Sequence, residues 1–90
     1  MEKKKLMVKC LLLKNDDVLV SEIVEVGSEL GEPDCKLINP YKLVEQSGEQ
    51  FLEPWITFSN QSEIMIHSDS ILTIVEPTEK ITQLYFDLNS

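Results

Sequence analysis

The chain has 90 residues, 42% of them hydrophobic, which suits a single domain with its own packed core and excludes disorder. Acidic side chains outnumber basic ones 16 to 8, the formal net charge is −8, and every basic side chain is a lysine. That balance argues against strong nucleic-acid binding, which draws on summed positive charge and on guanidinium forks at base edges.

The first lysines form a run, Lys3-Lys4-Lys5, which reads as a solubilising terminal tag. Residues 6–13 predict a strand with Leu6, Val8, Cys10 and Leu12 on one face and Met7, Lys9, Leu11 and Leu13 on the other, so both faces are largely apolar. Lys9 interrupts this run and no small-residue cleavage site follows, which argues against a secretory signal. Lys14-Asn15-Asp16-Asp17 predicts a hairpin turn, because Asn and Asp tolerate positive φ. Residues 18–26 predict a second strand, with a bend or bulge at Ser21-Glu22. Residues 27–33 hold two glycines and a proline and predict a loop.

Residues 34–43 return as a strand. Pro40 has no N–H to donate, so this strand is expected at an edge, or broken at Asn39-Pro40, with the extended pattern resuming over residues 42–45. Residues 46–50 predict a turn. The next strand is expected to begin at Trp55, after Pro54, and residues 60–62 predict a polar joint. Two short β-branched runs follow, at residues 64–67 and 71–75, separated by Ser68-Asp69-Ser70. They are too short for helices and predict strand–turn–strand, with Pro77 ending the second. In the tail, Ile81, Leu84, Tyr85 and Leu88 fall on one helical face, with Thr78 as N-cap and Glu79 in the first turn.

Few residues suggest chemistry. His67 is the single histidine, suited to a proton transfer or a base contact but more often inert at a strand end. Cys10 and Cys35 lack ligand spacing and read as free thiols of a reduced, cytoplasmic protein. The acidic pairs Asp16-Asp17 and Glu29/Glu32/Asp34 match no cation-binding spacing and read as solvated loop charge. Trp55 reads as a core or interface residue. No phosphate loop or nucleophile elbow is present, so no enzyme, cofactor or metal is expected, and no apolar stretch has membrane-spanning length.

A long hairpin (residues 7–13 and 18–26), a third strand (34–45) and a closing strand–turn–strand unit (64–75) together resemble the Sm-like superfamily of Sm, Lsm and Hfq proteins. Ser70-Ile71-Leu72-Thr73-Ile74-Val75 is similar to the final strand of Hfq. Asn39-Pro40 ahead of Pro54-Trp55 is similar to small Sm-like proteins encoded by tailed marine phages. The resemblance implies an all-β fold, a small, strongly bent Sm-like (SH3-like) barrel of five or more strands with a C-terminal amphipathic helix. It divides the chain into a lysine-rich tail (1–5), the barrel (6–77) and the helix (78–88), with residues 45–62 as a long insertion.

It further implies a homo-oligomeric ring of roughly five to seven copies. Ile64, Ile66, Ile71, Thr73, Ile74 and Val75 would form the subunit interface. Single-stranded, uridine-rich RNA is the implied partner, met by Asn39, Tyr41, Ser68 and Asp69. If the chain is phage-encoded, the compartment is the host cytoplasm. The −8 charge and the neutral-to-acidic Ser68-Asp69-Ser70 turn favour the alternative, a structural or protein-interaction ring that binds no nucleic acid.

Overall fold

The computed structural model describes residues 8–89. Lys3, Lys4, Lys5, Leu6 and Met7 lie outside them. The described residues form six strands and one helix: β1 (Val8–Leu13), β2 (Val18–Glu25), β3 (Cys35–Gln46), β4 (Glu49–Pro54), β5 (Glu63–Ile66), β6 (Ile71–Val75) and α1 (Glu79–Leu88). A 3-10 turn, Ser68–Ser70, joins β5 to β6. All pairings are antiparallel, in the order β4-β3-β2-β1-β6, with β5 also on β3. β6 ends this path and pairs with β1 alone, so the sheet does not close into the expected barrel.

The turns follow their residues. Asp16 adopts φ +75° between β1 and β2, and Asp17 N–H is bound by the Asn15 side chain at 3.0 Å. Ser47 and Gly48, both at positive φ, make the two-residue link from β3 to β4, which suits the strand twist. This corrects the expectation for residues 46–62. The turn is confined to two residues, β4 starts at Glu49, and Trp55 follows the strand instead of opening one. What reads as an insertion is a hairpin partner for β3 plus an excursion over residues 55–62. Sequence reasoning fails here because Glu49-Gln50 carries no apolar alternation.

Pro40 is also corrected. β3 is central and unbroken, flanked by β2 on one side and by β4 and β5 on the other. Proline is accepted because Asn39 and Pro40 together oppose the single residue Ser21, forming a bulge between Val20 and Glu22 of β2. Asn39 sits at φ +53°, a left-handed conformation that asparagine tolerates. Asn39→Gly is therefore expected to leave stability nearly unchanged, while Asn39→Val should cost about 1–2 kcal/mol in a urea titration.

Two apolar clusters lie on opposite faces of β1 and β2. Leu11, Leu13, Leu19, Cys35, Leu37 and Ile66 form the first, with Ile23, Trp55, Ile64 and Ile71 packed on it. Val8, Val20, Ile81 and Tyr85 form the second, joined by Tyr41, Leu43, Leu52, Leu84 and Phe86. The helix therefore buries the second apolar face that the sequence shows on β1 and β2. Its N-cap is Thr78, whose Oγ1 accepts from Ile81 N–H at 3.3 Å, and Leu88 at the far end of its apolar face remains exposed.

The bulge and the helix are one construction. The Tyr85 hydroxyl donates to Ile38 C=O at 2.7 Å and accepts from Glu22 N–H at 3.3 Å, bridging β2 and β3 where their ladder is displaced. Burial pushes the phenol pKa up, so the donor stays protonated. Ser21, fully buried, places its hydroxyl 2.8 Å from Glu22 C=O and 3.1 Å from the same Ile38 carbonyl, sharing one proton between them. Asn39 N–H donates to Ser62 C=O and Trp55 N–H to Pro40 C=O, which settles the backbone on the other side of the bulge.

Candidate functional site

The residues predicted to meet RNA separate into two hollows. Asn39 and Tyr41 line a groove of about 190 Å³ beside Pro40, Pro54, Trp55 and the excursion residues Asn60, Gln61 and Ser62. Ser68 and Asp69 line another, of about 360 Å³, with His67, Asp34, Glu29 and Glu32. No lysine lines either one.

The first groove sits at the bulge, where β3 changes partner from β5 to β4. Its Trp55 is half-buried on the first cluster, and its ring N–H donates to Asp17 at 3.4 Å. Lys42 pairs with the same carboxylate at 3.5 Å. Tyr41 stands edge-on to Tyr85, ring centroids 5.8 Å apart. Among the described residues, the side-chain amides of Asn39 and Asn60 have no hydrogen-bond partner. Gln61 Nε2 is spent on Glu63 C=O at 2.6 Å. Asn60 and Gln61 were not predicted as site residues. Their only sequence signal is a polar joint, which does not say where the joint folds back.

In the second hollow Ser68 is a structural residue. Its N–H and its hydroxyl both donate to the Asp34 carboxylate, each at 2.7 Å, tying the 3-10 turn to the start of β3. These two hydrogen bonds hold the Asp34 carboxyl below its ordinary range. The stability they add is complete above the unfolded carboxyl pKa of about 4 and is lost as pH falls through the lower folded value. Asp34→Asn is expected to flatten that acid limb in a pH series of thermal melts and to leave the neutral-pH fold intact. His67 is exposed and borders this acidic hollow.

Of the six predicted interface residues, Ile66 is buried in the first cluster and Ile64 and Ile71 pack against it, while Thr73, Ile74 and Val75 are exposed. Backbone direction follows from the hydrogen bonds. Leu13 bonds toward β2, so by alternation Cys10 and Leu12 bond to Val75 and Thr73 of β6, and the N–H and C=O of Ile74 point away from the sheet. On β5 the bond from Asn39 to Ser62 sets the phase, and Glu63 and Met65 point outward. On β4 the bond from Trp55 to Pro40 leaves Pro54 with its nitrogen outward and no donor there.

The two thiols are unremarkable nucleophiles. Burial pushes both up, aided at Cys35 by the charges of Asp34 and Glu25, so neither is thiolate-rich at neutral pH. Among the described residues no group of three or more His, Cys, Asp or Glu is placed to hold a metal ion, and no helix is long and apolar enough to cross a membrane.

Residues 6–90 match DUF6561, a family of unknown function. The chain belongs to this family. The match spans every described strand and the helix, so the bulge, the groove and the β6 edge all lie within the DUF6561 unit. None of the curated proteins matches the chain.

Proposed function

We propose that the chain is the subunit of a head-to-tail homo-oligomer, an Sm-like ring of roughly five to seven copies acting as a structural or protein-interaction scaffold. The observation that supports this is β6. Ile74 is aligned with the fully buried Leu11 and shares its face, yet it is 47% exposed, as are 61% of Leu72 and 53% of Val75. An apolar strand with one open edge takes another strand unless something protects it. The acceptor in this reading is β5, whose outward residues keep both backbone groups. The outer edge of β4 lacks a donor at Pro54 and carries Glu49 and Glu53. Thr73, Ile74 and Val75 then make the contact, while Ile64, Ile66 and Ile71 brace the two strands from the core. The partner strand completes the wall of the Sm-like barrel. The succession of β5, the Ser68–Ser70 turn and β6 supports that finer fold reading. Light scattering at micromolar concentration is expected to report one multimer, and a stable folded monomer overturns the proposal.

Nucleic acid is not part of this reading, because the expected contact residues are split between hollows that hold no lysine. Binding to uridine-rich single strands is expected to be weak and to depend only shallowly on salt, since few counterions are released. Stacking on Tyr41 would supply about 1–3 kcal/mol per base. Tight, steeply salt-dependent binding in a filter or anisotropy assay would restore the RNA-associated form of the ring.

A further inference from the structure

The groove at the bulge differs from the other hollows in its chemistry. Charged residues make up 27% of the chain, yet none lines this groove. In their place stand neutral hydrogen-bonding groups on a partly aromatic wall. The amides of Asn39 and Asn60 have no partner among the described residues, and each offers two donors and an acceptor. Ser62 adds a hydroxyl, Tyr41 lines the groove while its ring stands edge-on to Tyr85 on the helix side, and the Trp55 ring is pinned in place by Asp17. Pro54 and Pro40 stiffen the two strands that form its sides.

From this we infer that the groove is a binding site for a neutral carbohydrate, one sugar ring of an uncharged oligosaccharide. A pyranose presents a face of C–H bonds, which an aromatic side chain covers, and a rim of hydroxyls that both donate and accept, which amides match. Two other ligand classes fit less well. A phosphodiester chain would bring charge to a molecule of net charge −8 with no cation in the groove. An extended peptide needs free backbone groups at a strand edge, and here Asn39 N–H and Pro40 C=O are already bound to Ser62 and Trp55. The inference is independent of the ring, since the groove lies within one chain.

The single tryptophan of the chain lies in this groove, so its emission is a direct reporter. The experiment titrates the whole protein with maltotriose, cellotriose and chitotriose, following Trp55 fluorescence and the side-chain amide resonances of Asn39 and Asn60. At least one trisaccharide is expected to give a saturable change in both signals. Asn60→Ala, an exposed substitution, and Asn39→Gly, which keeps the backbone conformation available, are each expected to weaken it about tenfold, the loss of roughly one hydrogen bond. No change with any of the three sugars overturns the inference. So does a response that survives in the double variant with an unaltered unfolding midpoint, or a uridine-rich RNA that binds the groove more tightly than every sugar.

Discussion

Tyr85→Phe is expected to lower the unfolding free energy by about 1–3 kcal/mol, a large loss for removing a single oxygen atom. The ring stays, so the second cluster keeps its packing and the edge-on contact with Tyr41. What disappears is the hydroxyl that joins Glu22 N–H to Ile38 C=O. The carbonyl still has the Ser21 hydroxyl within reach, but the N–H of the half-buried Glu22 loses its Tyr85 acceptor where the ladder is displaced. In urea the midpoint should fall with an unchanged slope, and the melting temperature by about 4–8 °C per kcal/mol for a domain of this size. Protein concentration must be held constant, because association contributes to apparent stability. Tyr85→Ala should cost more, about 3–5 kcal/mol, by adding a cavity. A Tyr85→Phe chain with the wild-type midpoint would mean that the bulge holds itself.

Ile74→Lys is expected to abolish the multimer while leaving a folded chain. Ile74 is half-exposed, so the single chain loses little core contact. In the proposed contact, however, its side chain and both backbone groups face the neighbour. Burying an ammonium there costs at least about 2 kcal/mol per interface, roughly thirtyfold in association. Each copy takes part in two such contacts, so the effect compounds around a closed assembly. Sedimentation should show one small species with an unaltered circular dichroism spectrum. Thr73→Lys is an instructive companion. Thr73 bonds its backbone to β1, so its substitution alters the strand without touching the outward-facing groups. Equal dissociation by both variants would argue for a face contact instead of strand addition.

Much of this architecture could be read from residue order. The strands over residues 8–13 and 18–25, the Asn-Asp turn between them and the Ser21 irregularity all emerged as expected among the described residues. So did the helix, because its apolar period and its Thr78 cap are local signals. β4 did not, because it carries glutamates, a proline and an exposed Phe51, and it is a strand only because β3 templates it. The two-faced apolar character of β1 and β2 was legible, but its purpose was not. It serves the helix on one face, while Leu72, Ile74 and Val75 leave β6 with an exposed apolar surplus, on which the proposal of a second chain rests. Of the site, Asn39 and Tyr41 were identified together and lie together, whereas Ser68 is absorbed by Asp34. The contribution of Asn60 depends on how an eight-residue excursion folds back, which no local pattern encodes.

The paired residues at the bulge also set a phase. Upstream of them, Cys35 and Leu37 face the first cluster; downstream, Tyr41 and Leu43 face the second, although all four positions are odd. Asn39-Pro40 thus acts as a half-turn spacer within one strand. Removing either one of them would leave that phase unchanged, because the remaining residue would stand opposite Ser21 as an ordinary partner and Tyr41 would keep its place beside Val20. Removing both would rotate everything after them, turning Lys42 and Val44 toward the helix and Tyr41 and Leu43 away from it. The strand thus counts these two residues as one, and it tolerates the loss of one residue at this place better than anywhere else along its length.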